Sequence, residues 1–199
     1  MEVYITYTRV TKHSNPIHLA VGSNLQYDNK TSLAIVRMVY DILNEHEINV
    51  IAKSSFWHSS AYPNKLDPPF INSVVEVSTK KEPLELLIIL KEIETFLGRK
   101  TTSRWSSRTC DIDIISIGQE TIPNLRTALL WMNNEEAKKG ISTPDQLIIP
   151  HPRMHERSFV LGPLNEISQT WMHPVLQKTS KELWESLSDH DKIESYPLS

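Results

Sequence analysis

The sequence predicts an α+β fold, a ferredoxin-like antiparallel sheet covered by helices (an α/β/α sandwich). Segments alternating with the two-residue period of strands are interleaved with segments at helical spacing, and they fall into two β-α-β halves. The chain has only five glycines and carries neither a G-x-G-x-x-G turn nor a G-x-x-x-x-G-K-[ST] loop, which disfavours a doubly wound nucleotide-binding sheet. At 199 residues it suits a single domain with a substantial core.

In chain order, residues 1–16 form a polar extension in which Val3, Ile5 and Tyr7 have the spacing of an edge strand. Ile17–Val21 reads as a short strand running into Gly22-Ser23-Asn24-Leu25, where Gly22 permits a tight turn and Ser23 or Asn24 can satisfy neighbouring backbone groups. From Thr31 to Asn44 the apolar positions Leu33, Val36, Val39 or Tyr40, and Leu43 recur at helical spacing, with Asn29 and Thr31 as candidate caps. Asn49–Trp57 is extended and apolar. The loop HSSAYPNKLDPP follows, and then FINSVVEV alternates as another strand, with Phe70, Asn72, Val74 and Glu76 on one face. A loop of that length between neighbouring strands is a candidate binding lid. Pro83 opens the apolar helix PLELLIILKEIETFL, which stops at Gly98 as helices commonly do. Thr109–Ile117 is rich in β-branched residues and reads as a strand. The spacing predicts a helix over 123–139 in an insertion spanning 119–146, and a last amphipathic helix over 179–187, within a C-terminal tail of residues 171–199, uses Leu183, Trp184 and Leu187.

Composition is that of an ordinary globular protein, 39% hydrophobic and 23% charged. A net charge of −3 argues against wholesale nucleic-acid binding, so any anion site is local. The lone Cys110 builds no disulfide within the chain and lies on the core face of its strand, where it serves as a small buried hydrophobe. No apolar run approaches 18 residues and the N-terminus lacks an apolar leader core. A cytoplasmic protein is the expectation.

The chemistry concentrates in GRKTTSRWSSRTCDIDIISIG, residues 98–118. In an extended strand Asp111 and Asp113 share a face with backbones about 6.6 Å apart. Ionised together they repel by roughly 2 to 3 kcal/mol at an effective dielectric of about 20. A hard divalent cation offsets that repulsion, and Mg2+ is commonly held by one or two carboxylates together with substrate phosphates. Upstream, Arg99, Lys100, Arg104 and Arg108 are suited to a polyphosphate, because guanidinium groups fork onto phosphate oxygens. Trp105 can stack on a nucleic-acid base or on any other flat heterocycle, and the acidic balance favours a small ligand. Two other constellations are weaker. His151 and His155 are four apart, the spacing of one half of a zinc site if helical, but Pro152 lies between them and no nearby Cys or Glu completes the set. A nucleophilic triad lacks its G-x-S-x-G elbow.

The blocks AVGSNL, SSFWHSSAY, DPPFINSVV, IETFLGR, RWSSRTCDIDI and IPHPRMHERSFVLGPLNEI, in this order over residues 17–170, resemble the 6-hydroxymethyl-7,8-dihydropterin pyrophosphokinases of folate biosynthesis. The resemblance implies a single pyrophosphokinase-like domain over 1–199, a monomer acting on small molecules, with no nucleic acid and no membrane. It implies transfer of the β,γ-pyrophosphoryl group of ATP to the pterin hydroxymethyl oxygen, releasing AMP. On the matching positions, Asp111 and Asp113 hold two Mg2+ ions, and Arg99 and Arg108 stabilise the transferring group. His151, Arg157, Lys91 and Glu94 approach ATP, with Ile114, Leu147 and Ile148 lining the adenine. Ser59, Ser60, Tyr62, Phe70, Asn72, Trp105 and Phe159 receive the pterin. The chain departs from the family pattern at Ser106-Ser107, where Gly-Pro is usual, and at Ser59-Ser60, where Thr-Pro is usual. The alternatives are a diverged, weakly active or inactive nucleotide- or pterin-binding homologue with a regulatory role, and a ferredoxin-like RNA-binding module, which would require an aromatic RNP signature that the sequence lacks.

Overall fold

The structure, a computed structural model, describes residues 15–62, 64–100, 107–138 and 141–198; the expected edge strand through Val3, Ile5 and Tyr7 lies outside them. Its centre is β1 (Ile17–Ser23), flanked by β4 (Phe70–Ser78) and β5 (Asp111–Ile117). Beyond β4 lie β2 (Asn49–Lys53) and β3 (Trp57–Ser59), and β6 (Ser195–Pro197) is outermost. The order is β5-β1-β4-β3-β6 with β2 also on β4, and every pairing is antiparallel. This is the expected α+β sheet.

Alternation along β1 decides which layer covers which face. Ile17, Leu19 and Val21 enter one core with Ile35, Val39 and Leu43 of α1 (Ser32–Glu45) and Leu86, Leu90 and Ile93 of α2 (Pro83–Phe96). On the opposite face Val74 and Ile115 pack with Leu161 and Leu164 of α5 (Ser158–Ile167) and Leu183 of α6 (Ser180–Ser186). Thr31 caps α1 by accepting the Ala34 N–H, while Asn29 takes a left-handed turn conformation instead. Gly98 ends α2 at φ +82°, and a side chain there would strike the Tyr27 ring, so the glycine serves both the turn and the packing.

Three expectations are revised. The extended run from Asn49 to Trp57 is broken into β2 and β3, because the Ser54 hydroxyl takes the Val74 N–H (3.0 Å) and interrupts the ladder. The helix expected over 123–139 divides into α3 (Leu125–Met132) and α4 (Glu135–Lys138). Asn133 returns its amide to the Leu129 carbonyl and Asn134 accepts the Ala137 N–H, so one helix stops as the next is capped. Finally, the tail contains α7 (Asp189–Ile193) and β6 beyond the expected helix.

A polar cluster crosses the second core. Buried His18 places Nδ1 2.7 Å from the Ser116 hydroxyl and Nε2 2.8 Å from that of Ser168, with Glu76 at 3.7 Å. Burial lowers its pKa to about 4, and that of buried His173 likewise. A histidine with a depressed folded pKa stabilises the fold fully above its unfolded value of 6.5, and that stability is lost as pH falls toward 4. Urea unfolding at stepped pH should therefore show stability falling by about 1.4 kcal/mol per pH unit for each such histidine across this window. The slope should be shallower in His18→Gln.

Candidate active site

Residues directly opposite on antiparallel strands share a face. Asp111 and Asp113 lie opposite Gly22 and Ala20, and so stand together on the face covered by α5, while Ile112 and Ile114 enter the α1/α2 core. Between them and the strand's end is a bulge: His18 pairs with Ser116 but Leu19 with Ile114, leaving Ile115 as the extra residue. The Ile115 carbonyl accepts the His151 N–H at 2.9 Å, which docks the PHPRMHER segment beside Asp113.

Asp111 is held from two sides. Arg99, just past α2, reaches Oδ1 at 2.6 Å, and Arg108 reaches Oδ2 at 2.7 Å. Behind them Glu94, 1% exposed, accepts from Lys91 (2.8 Å), from Arg99 (2.5 Å) and from the Ile112 N–H (2.7 Å). Burial raises the Glu94 pKa, and the Lys91 ammonium and its hydrogen bond, the Ile112 N–H and Arg99 act against that rise. Glu94 thereby ties α2 to the outer edge of β5 and sets Arg99 against Asp111. Lys91 is also within 3.4 Å of the Ile112 carbonyl.

Asp113 has longer ionic contacts, 3.6 Å to Arg157 and 3.9 Å to His151 Nε2. The His151 Nδ1 accepts the Arg153 N–H at 3.1 Å, and its Nε2 lies 3.5 Å from the Arg157 guanidinium, a group that can only donate. Burial, then Arg157 and Arg153, lower the His151 pKa well below 6.5, which favours the uncharged ring. Both aspartates fit a hard cation in donor type and access, with side chains 22% and 34% exposed. The guanidinium groups now on Asp111 are positioned for the oxygens of a polyanion.

The aromatic side begins at Asn72, whose Nδ2 donates to the buried Ser59 hydroxyl at 2.9 Å. Gly22 lies opposite Asn72, and a Cβ there would come within 3.1 Å of Asn72 Oδ1 and 3.6 Å of Phe70. Phe70 and Asn72 share the α5 face with Val74, and Phe159 packs against the same cluster under the Arg157 guanidinium, 5.6 Å from its ring centre. Ser60 donates its N–H to Glu194, and Tyr62 is largely exposed on the following loop. Trp105 lies outside the described residues. Ile114 and Ile148 are buried, and Leu147 is packed against the α1/α2 core, on the far side of the β5 edge from Asp113.

Two contributors were not among the expected site residues. Asn24 joins three loops: its Oδ1 accepts the Arg108 N–H (2.6 Å), and its Nδ2 donates to the Pro68 carbonyl (2.9 Å) and the Ser107 hydroxyl (3.2 Å). Ser107, at a departure from the family pattern, thus gains a partner. Arg153 adds positive potential at His151 and Arg157; its place in a histidine- and arginine-rich segment was the available signal.

Residues 18–169 match the profile of the 7,8-dihydro-6-hydroxymethylpterin-pyrophosphokinase (HPPK) family. The chain is 35% identical to the 2-amino-4-hydroxy-6-hydroxymethyldihydropteridine pyrophosphokinase of Bacillus subtilis over 157 residues, 78% of this chain and 80% of the relative. It is 32% identical to the Haemophilus influenzae protein of the same name over 180 residues, 90% of this chain and 98% of the relative. A crystal structure of Plasmodium falciparum HPPK-DHPS with pteroate shares the fold at a TM-score of 0.64 and 16% identity, covering 92% of this chain and 46% of that longer one.

Replacing Glu94 by Ala should cost about 3 kcal/mol, since a buried ion pair is broken and the Ile112 N–H is orphaned. Asn24→Ala should cost about 2 kcal/mol through the lost loop ties. Denaturant midpoints of the two variants check both values.

Proposed function

The chain belongs to the 7,8-dihydro-6-hydroxymethylpterin-pyrophosphokinase family and is a diphosphotransferase of folate biosynthesis, and we propose that it carries its reaction out in the cleft between Asp111, Asp113 and the aromatic side. There the β,γ-pyrophosphoryl group of ATP passes to the hydroxymethyl oxygen of 6-hydroxymethyl-7,8-dihydropterin, giving the pterin diphosphate and AMP. The observation that carries this reading is the pairing of two same-face carboxylates with Arg99, Arg108 and Arg157 around them.

Each side chain has a role. Arg99 and Arg108 exchange part of their hold on Asp111 for phosphate oxygens as charge develops on the transferring group, and Glu94 keeps Arg99 in place during that exchange. His151 and Arg157 approach ATP from the same segment, and Arg157 adds positive charge there. Lys91, Ile114, Leu147 and Ile148 lie toward the nucleotide base. Asn72 reads the pterin amide edge, with its rotamer fixed by Ser59, while Phe70, Phe159 and Trp105 offer stacking faces, and Ser60 and Tyr62 border the mouth. Asp111 and Asp113 are the residues for two Mg2+ ions, which when bound neutralise the phosphate charge. We further propose that residues 1–199 act as a single domain and a monomer in the cytoplasm; among the described residues no helix is long and apolar enough to cross a membrane.

Incubation with ATP, Mg2+ and the reduced pterin should yield AMP and pterin diphosphate in equal amounts; ATP binding measured by calorimetry without turnover would instead mark a regulatory homologue. Asp113→Ala should lower kcat by about a thousandfold, equivalent to about 4 kcal/mol of lost charge stabilisation, with the fold retained by circular dichroism. Near-normal turnover in that variant would refute the metal role.

A further inference from the structure

The family match ends at residue 169, yet the chain beyond it returns to the aromatic side of the cleft. β6 pairs with β3 in the register Trp57 to Pro197, His58 to Tyr196 and Ser59 to Ser195. The pairing is extended at both ends: the Leu198 N–H donates to the Phe56 carbonyl at 2.7 Å, and the Ser60 N–H to the Glu194 carbonyl at 3.4 Å. Side chains reinforce it. The Tyr196 ring stacks on His58 at 4.7 Å and 18°, and Lys65, in the loop after Ser60, pairs with Glu194 at 2.7 Å.

The same segment reaches the opposite wall. The Ser195 hydroxyl lies 2.9 Å from that of Ser158, both buried, and Ser158 directly precedes Phe159. Upstream in the tail, Trp184 meets Trp57 edge-on at 5.7 Å. A three-residue strand such as β3, paired on one side alone, is weakly fixed. With β6 on its other side it is an interior strand, and the Ser59 hydroxyl that orients Asn72 is held from both directions.

We propose that residues 194–198 are a positioning element for the pterin substrate: they fasten Ser59 and the loop after it to the start of α5, and so set the spacing between Asn72 and Phe159. This rests on the reading that this side of the cleft receives the pterin. None of these contacts involves Arg99, Arg108, Asp111 or Asp113, so the effect is confined to one substrate.

The test uses the full chain carrying Ser195→Ala and Tyr196→Ala together, with Tyr196→Phe, which keeps the ring, as the conservative control. The double variant should raise KM for the pterin about tenfold, equivalent to a tenfold affinity loss, with KM for ATP within about twofold of wild type. Amide exchange at residues 57–62 should be about tenfold faster, with β1 and β5 unchanged, and Tyr196→Phe should restore both readouts. An unchanged pterin KM, or equal rises in both KM values, overturns the proposal. If the wild-type chain forms no AMP, the functional reading fails by itself, and exchange at 57–62 then decides whether the segment fastens this wall: unaltered exchange overturns it, faster exchange upholds it.

Discussion

Charge compensation at the outer edge of β5 is the constraint on which the rest of the site depends. Two aspartates on one face of an edge strand repel, and the protein answers with Arg99 and Arg108 on Asp111 and with Arg157 near Asp113. Arg99 is in turn fixed by Glu94, a buried carboxylate whose other partners are Lys91 and the Ile112 N–H. Helix α2, the strand and the guanidinium groups therefore form one connected unit. A polyanion entering it finds its counter-charges already ordered, so less conformational freedom is lost on binding.

Much of this was legible in the sequence because it rests on short-range regularities. The alternation in Asp111–Ile117 shows that the two aspartates share a face, and the 3.6-residue spacing in Ser32–Glu45 and Pro83–Phe96 shows which faces are buried. What was not legible depends on single atoms meeting across long separations. The Ser54 hydroxyl that breaks β2 from β3 acts on Val74, and the bulge at Ile115 becomes meaningful only once His151 binds its carbonyl. Asn24 was recognisable as a residue able to satisfy nearby backbone, but nothing in its neighbourhood names Arg108 and Pro68 as the groups it joins.

Glu94 illustrates the limit differently. Helical spacing puts Lys91 and Glu94 on a shared side of α2, near where the family resemblance places ATP. The structure gives Glu94 a buried position with three donors around one oxygen. Its partners are Arg99, which it orients, Lys91 and the Ile112 N–H, and a spacing argument carries no information about such contacts.

The way the sheet finishes at its two ends has a consequence for how the protein behaves in a crowded solution. On the outer side of β5, the Ile112 N–H is occupied by Glu94, its carbonyl is near Lys91, and the Ile115 carbonyl is occupied by His151. At the other end β6 is three residues long and closes on Pro197, which has no N–H to offer. Among the described residues these contacts leave a foreign strand little to extend along β5 and β6, and the five-residue β2, paired with β4 alone, is the remaining margin of the sheet.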